Sequence, residues 1–444
     1  MADLMPHQIA AVRTMLNGVD YLADEPGLGK TRTLLATASY GPGPIHVVCP
    51  AVVTTHWQRE AQILGVADRL RVFSYAGLVG THANAKARLA ALVAPGATLI
   101  LDEAHYLANQ TSQRARVLLS KKGGVVHNPD LARVLFGSGT PMARNPASLW
   151  TVVSTCFPHI LAEMDVRNYM DWLNETCIWK WVEFGRQRTV KVFGAKDAKR
   201  LHQLLTGPVD DHAPMMLRRT ERDVGLQLPE LWWQWTHVGM PKDIIKAEAD
   251  LPTHAKLAIQ HTNDTSDPAV AALVQSIGIA KATALAPIFA EHAEDDTLGS
   301  RVYIAHHRSV LALLRDALPR AITGYIDGDT SAAERQRIID AFQAGTLTQL
   351  VAALGVVQTG ITLTRATYIG IVEPGWTADQ NIQVAKRIHR IGQRQKCRVE
   401  LFVGAQSVEQ GKLAQVEREI RMLETVVDGG VRPLRTLSPV DELV

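Results

Sequence analysis

The chain has 444 residues, a net charge of +3 and four cysteines, with 46% hydrophobic and 20% charged residues. That length exceeds one core and predicts two or three domains, and the mild charge excludes polyanion binding by bulk charge, leaving local patches to do it. Cys49, Cys156, Cys177 and Cys397 lack zinc-type pair spacing, no apolar run reaches the roughly 18 residues of a membrane span, and Met1-Ala2-Asp3-Leu4 has no signal pattern, so a reduced cytoplasmic protein with no membrane association is expected.

Behind Met5-Pro6-His7-Gln8, the spacing of Ile9, Val12 and Leu16 predicts a helix with those residues on one face. The Gln8 amide pairs a donor with an acceptor, which suits an adenine edge. A short apolar segment ending at Tyr21-Leu22 leads into Ala23-Asp24-Glu25-Pro26-Gly27-Leu28-Gly29-Lys30-Thr31, and a helix is predicted over 31–39. Gly27 and Gly29 let the backbone turn tightly and aim N–H groups at an anion, and the helix start adds partial positive charge. In that pattern Lys30 reaches the β- and γ-phosphates of ATP, and the Thr31 hydroxyl ligates Mg²⁺. The generic loop has Gly where this chain has Asp24, so an ordinary strand–turn–helix stays open at this point.

Residues 45–49 read as a buried strand ended by Pro50. Thr54, Thr55, Trp57 and Glu60 then open a helix whose start suits a nucleic-acid phosphate; a capped helix with Trp57 in the core fits equally well. Residues 72–75 look like another strand end. A strand over 97–101 delivers Asp102-Glu103-Ala104-His105. Two adjacent carboxylates are costly to bury without a cation. In a nucleotide site Asp102 holds Mg²⁺ through water, while Glu103 orients and deprotonates the attacking water. His105 senses the γ-phosphate or links to the next motif. A strand over 131–136 precedes Gly137-Ser138-Gly139-Thr140-Pro141, where Ser138 and Thr140 fit a relay between nucleotide and nucleic acid, or a plain turn.

From about 147 to 235 the strand–helix alternation lapses, and Trp172, Trp179, Trp181, Trp232, Trp233 and Trp235 cluster. An insertion with its own small core is expected, with base stacking as an alternative use of the aromatics. The basic stretch Leu217-Arg218-Arg219-Thr220-Glu221-Arg222-Asp223-Val224 bridges lobes, touches phosphates or is solvated. Residues 241–297 are Ala-rich and mostly helical, most clearly over 269–290. Strands resume at 301–307, 323–326, 349–353 and 368–372, and Ser331 caps a helix with Glu334 at the capping-box position. This half lacks a phosphate loop and reads as a second α/β lobe facing the first. The expected divisions are 1–150, 151–240, 241–297, 298–425 and 426–444. Near the end, Arg387 and Arg390 are three apart and share a predicted helix face. Two guanidiniums repel unless an anion lies opposite. A triphosphate held by the other lobe is such an anion, and a nucleic-acid backbone is another.

The strings DEPGLGKT, LDEAH, GSGTPM, IDGDTS, TGITLT and Q-x-x-x-R-x-H-R-I-G-Q stand in the order and spacing of superfamily-two motors. Through DE-x-GLGKT and the HRIGQ ending the chain resembles their Swi/Snf-type branch, in which Asp24 is no defect. Phe184-Gly185 and Gly278-Ile279-Ala280-Lys281-Ala282 are similar to the annealing-helicase-like subgroup. The resemblance implies an α/β fold: two RecA-like lobes with P-loop NTPase-type parallel sheets, helical insertions between them, ATP and Mg²⁺ at the site, and double-stranded DNA across both lobes. It implies a monomeric ATP-dependent translocase on double-stranded DNA, with forked or branched DNA as a further substrate, in a bacterial or phage-infected cell. By motif position Gln8, Asp24, Gly27, Leu28, Gly29, Lys30 and Thr31 bind ATP, and Thr31 and Asp102 hold the metal. Glu103, Gly360, Arg387 and Arg390 are catalytic, with Arg390 the finger. His105, Ser138, Thr140 and Gln383 couple the parts, and Thr55, Thr359 and Trp376 contact or flank the DNA. The chain departs from the pattern at Gln358, Lys386 and Thr33, where the family has Gly, Asp and Gln. A strand-separating helicase and an ATP-switched DNA-binding module that does not move are the alternative readings.

Overall fold

Strands buried at every residue belong in parallel sheets covered on both faces, and Ile45–Cys49, Ala97–Asp102 and Ser300–Ala305 are of this kind. The computed structural model describes residues 4–80, 83–184, 187–252, 255–256, 267–358, 361–430 and 440–443. It divides into two units. One comprises Met1–Trp179, Val192–Gln227 and Ile420–Val431; the other comprises Lys180–Lys191, Leu228–Glu419 and Arg432–Val444.

In chain order the first strands are β1 (Tyr21–Leu22), β2 (Ile45–Cys49), β3 (Leu70–Ser74), β4 (Ala97–Asp102) and β5 (Leu131–Gly137). A ribbon of β6 (Cys177–Phe184) and β7 (Gln187–Ala195) follows, then β8 (Met216–Leu217). The first unit's sheet runs β3-β2-β4-β5-β1-β8, and every pairing in it is parallel. Its helices α1 (Pro6–Leu16), α2 (Lys30–Ser39) and α3 (Thr54–Ile63) contribute Met15, Leu34, Leu35 and Trp57 to a core shared with Ile45, Val47, Ile100 and Leu135.

The second unit's sheet is also wholly parallel. Its strands are β9 (Leu231–Val238), β10 (Ser300–Ala305), β11 (Thr323–Ile326), β12 (Gln349–Ala353), β13 (Ala366–Ile371), β14 (Cys397–Gly404) and β15 (Val440–Leu443), in the order β11-β12-β10-β13-β14-β9-β15. Alternation along β10 feeds two cores, with Val302 and Ile304 on one face and Tyr303 and Ala305 on the other. The two parallel α/β units match the expected fold class.

Four expectations are corrected. The buried face of α1 is His7, Gln8, Ala11, Val12 and Met15, with Ile9 partly buried and Leu16 exposed, because the helix turns Ala11 and Met15 onto the core that holds Leu34 and Leu35 of α2. The 151–240 segment is not one insertion with its own core: β8 joins the first sheet and β9 the second, which buries Trp233 and Trp235. Strands β9 and β14 are absent from the patterning expectations. The helix Pro268–Glu294 is long and apolar enough to cross a membrane by length and composition. Half of its apolar stretch is instead buried against the cores of the second unit, through residues such as Ile277, Leu285 and Phe289. Lys281, fully buried on it, donates to Glu409 Oε1 and Oε2 at 2.7 Å and to the Phe402 carbonyl at 3.0 Å.

Candidate nucleotide site

Strand register assembles the site. Asp102 pairs with Gly137, Gly137 with Leu22, and Leu22 with Leu217. Four adjacent parallel strands therefore end at one level, and the loops after them share the carboxyl edge of the sheet, where α/β folds bind ligands. Those loops carry Asp24 to Lys30, Asp102 to His105, Ser138 to Thr140, and Arg218 to Arg219.

In the phosphate loop Gly27 and Gly29 have φ of 100° and 77°. The left-handed backbone favours glycine at Gly29, and a Cβ there, 2.3 Å from Gln8 Nε2, would displace the Gln8 amide. Lys30, the first residue of α2, donates Nζ–H bonds to the carbonyls of Asp24 at 2.9 Å and Glu25 at 3.3 Å. Burial pulls the Lys30 ammonium below its usual range, opposed by the Glu103 and Asp24 charges. The Gln8 amide accepts from Met5 N at 2.9 Å and donates to the Leu28 and Gly29 carbonyls, both at 3.4 Å. Adenine recognition by Gln8 thus requires exchange of these partners.

Asp24 is 1% exposed and meets Arg219 through two hydrogen bonds, Nε to Oδ1 at 3.1 Å and Nη2 to Oδ2 at 2.5 Å. Arg219 also donates to the His7 carbonyl at 2.6 Å. Arg218 donates to the carbonyls of Ala23 at 2.6 Å and Gly139 at 2.9 Å, and pairs with Asp428 at 2.7 Å. The basic stretch after β8 is therefore a clamp on the phosphate loop. Sequence reasoning missed this; the signal was the unpaired acid, Asp24, at a loop position where the generic motif has Gly.

The Asp102 carboxylate is held by Trp57, whose Nε1–H donates to Oδ2 at 2.9 Å, and by the Glu103 N–H at 3.0 Å. The Tyr75 hydroxyl donates to the Asp102 carbonyl at 2.8 Å. Burial and the neighbouring Glu103 push the Asp102 carboxyl up to about 7, against the Trp57 bond and the Lys30 charge. Glu103 sits in the left-handed region at φ 49°, a costly conformation for a non-glycine residue that aims its carboxylate. Glu103 Oε2 lies 3.3 Å from His105 Nδ1 and accepts from Ser138 Oγ at 3.5 Å; His105 Nδ1 and Ser138 Oγ are 2.9 Å apart. The Thr140 N–H donates to Ser138 Oγ at 3.2 Å. A Cβ on Gly139 would come 2.6 Å from Pro26 Cγ, so this loop can approach the phosphate loop only as glycine. Thr31 and Asp102 offer the hard oxygen donors that Mg²⁺ takes. A cation beside them favours the charged Asp102 that burial disfavours, so the donor set fits the metal.

In the second unit the helix Ala378–Ile388 ends before Arg390. The expected shared helix face for Arg387 and Arg390 is corrected: His389, at φ −97° and ψ 84°, leaves the helix, and its ring bonds the Pro229 carbonyl at 2.7 Å. Arg387 donates to the Gln358 carbonyl, and Arg390 Nη1 to Thr362 Oγ1 at 2.9 Å. Lys386 is buried beside His389 Nδ1 at 3.3 Å. Gln383 is partly buried, Thr55 is exposed on the first turn of α3, and Trp376 lies under Lys412 Nζ at 4.7 Å from the ring centroid. Thr359 and Gly360, and Gly185 of the basic turn, lie outside the described residues.

Residues 81–247 match the SNF2-related domain, and residues 285–392 match the Helicase conserved C-terminal domain. The chain is 25% identical over 439 residues to the DNA annealing helicase and endonuclease ZRANB3 of Mus musculus, covering 92% of this chain and 39% of that one. It is 24% identical over 458 residues to the SWI/SNF-related matrix-associated actin-dependent regulator of chromatin subfamily A-like protein 1 homolog of Caenorhabditis elegans, covering 95% of this chain and 62% of that one. The chain thus spans only part of the length of these relatives. A solved structure, the Sulfolobus solfataricus SWI2/SNF2 ATPase core in complex with dsDNA, aligns with 97% of this chain and 98% of its own, at 18% identity and a TM-score of 0.37.

Proposed function

We propose, for a chain that carries an SNF2-related domain followed by a helicase conserved C-terminal domain and so belongs with the SNF2-type helicase-like ATPases, that it hydrolyses ATP in response to DNA and translocates on double-stranded DNA. The observation that carries this reading is the register that ends four neighbouring strands at Asp102, Gly137, Leu22 and Leu217. The DNA side rests on the relatives, which include a DNA annealing helicase by name.

Lys30 exchanges the Asp24 and Glu25 carbonyls for phosphate oxygens, and the N–H groups of the loop complete the cradle. Mg²⁺, when bound at Thr31 and Asp102, supplies charge neutralisation at the phosphates. Glu103 takes the proton of the attacking water, and His105 and Ser138 hold its carboxylate in place. Arg387 and Arg390 are assigned to transition-state charge, Arg390 as the finger. Thr55, Trp376 and the segment around Thr359 are assigned to the DNA track, and Gly360 and Gln383 to coupling.

The test is ATP turnover with single-stranded DNA, duplex DNA, forked DNA or RNA as activator, together with triplex displacement. Stimulation by duplex DNA with triplex displacement is expected. Robust fork unwinding without triplex displacement would replace the translocase by a strand-separating helicase. Tight nucleotide-dependent DNA binding with negligible turnover would leave only an ATP-switched clamp.

A further inference from the structure

A second cleft in the first unit, about 500 Å³ in volume, shares no lining residue with the phosphate loop. Pro50 and Ala51 after β2, Tyr75 after β3, Tyr106 after the carboxylate pair, and Gln113 and Arg114 line it. The walls are mostly apolar and partly aromatic. The Tyr75 and Tyr106 rings are 5.8 Å apart at 43°, and the Arg114 guanidinium lies 5.1 Å over the Tyr106 ring. Arg114 Nε is buried and has no hydrogen-bond partner among the described residues.

These features define the occupant. A buried guanidinium N–H without an acceptor is costly, so a ligand that brings an acceptor is favoured. A bare phosphate satisfies the arginine but gains nothing from apolar walls. An aliphatic side chain fills the walls but leaves Arg114 Nε unsatisfied. A nucleobase does both, with flat faces for the rings and the guanidinium plane and an acceptor-bearing edge for the N–H. The volume is ample for one nucleotide. We infer that this cleft takes one unpaired base of a DNA strand. The inference rests on the DNA reading above and adds a site to it. The Tyr75 hydroxyl, bonded to the Asp102 carbonyl, ties one wall to the strand that carries the carboxylates.

The experiment uses the full chain and two DNAs: an intact duplex, and the same duplex interrupted by a short gap carrying one 2-aminopurine. The gapped DNA is expected to bind about tenfold tighter, the effect of one stacked base, and 2-aminopurine emission to change on binding. Arg114→Ala and Arg114→Lys should both lose the emission change and bind the two DNAs equally; the lysine variant keeps the charge without the plane. DNA-independent ATP turnover should stay unchanged in both, which also reports that they fold. Equal affinity of the wild type for the two DNAs, or a wild-type emission response in both variants, overturns the base site while leaving duplex binding intact. Failure of the wild type to bind the intact duplex overturns the DNA reading itself.

Discussion

The two units solve one architectural problem with different chemistry. Both are parallel sheets that bury charge where their strands end, but the groups meet different partners. In the first unit Asp24, Lys30 and Asp102 are withdrawn from water and balanced by Arg219, backbone carbonyls and Trp57. In the second unit Glu373, just after β13, accepts from the His306 and His307 N–H groups and pairs with the His307 ring. There too a buried ion pair, Lys281 with Glu409, ties helix Pro268–Glu294 to the segment after β14, and Arg387 and Arg390 engage Gln358 and Thr362. The lesson is that a buried charge means different things in the two places. In the first it prepares a site for a charged ligand, and in the second it fastens elements together.

The largest test of that contrast pairs Lys30→Ala with Arg390→Ala. The first should abolish nucleotide binding and hence turnover. The second should keep nucleotide affinity and lose turnover by roughly 10³-fold or more, as finger arginines do. Fluorescent-nucleotide binding beside steady-state ATPase separates the two, and wild-type turnover in either variant removes the site assignment.

Next come two buried ion pairs, one from each unit. Arg219→Met and Lys281→Met each leave a carboxylate without its partner, a loss of about 3 kcal/mol or more. Urea unfolding should report similar destabilisation. Nucleotide affinity should fall only in Arg219→Met, because Arg219 braces the phosphate loop and Lys281 lies in the other unit. An equal fall in both would erase the distinction.

The Asp102 carboxyl gives a smaller, pH-dependent effect. Its value is raised from 3.8 to about 7 on folding, so the folded chain keeps a proton that the unfolded chain has lost. Stability contributed by this group is therefore full at low pH and declines as pH rises from about 4 to 7. Asp102→Asn should abolish turnover yet remove this decline, and melting temperatures of the two proteins across that range read it. A parallel decline in the variant would mean that another group causes it.

The smallest change is Trp57→Phe, which keeps the packing and deletes the N–H donor to Asp102. A loss of roughly 1–2 kcal/mol is expected, along with a higher Mg²⁺ concentration for half-maximal turnover. A stability loss without the Mg²⁺ shift would make Trp57 a core residue only.

Much of this was legible from the chain. The glycines of the phosphate loop, the strand that delivers Asp102 and the small residues after β5 lie in short segments whose geometry is local. What was not legible is held by distant partners. Nothing near Asp24 announces Arg219, and nothing near Asp102 announces the indole of Trp57. Strand β14 escaped notice because Arg398 and Glu400 interrupt its apolar pattern. Inside the sheet Glu400 accepts from Arg398 at 3.0 Å, Tyr368 at 2.8 Å and Thr236 at 2.5 Å, so its charge is met by partners from three strands. Arg390 was misplaced because a helical period says nothing about where a bond from His389 to Pro229 will pull the chain out of the helix.

The tie from Arg218 to Asp428 has a consequence for biosynthesis. The loop beside the lysine is braced by an arginine whose own acidic partner lies 210 residues further along the chain, after β9 to β14. A nascent chain can form most of the first sheet early, but the brace stays unfinished until β14 and the helix after it have been translated. Competence to grip a nucleotide should therefore arrive only after β9 to β14 have been made.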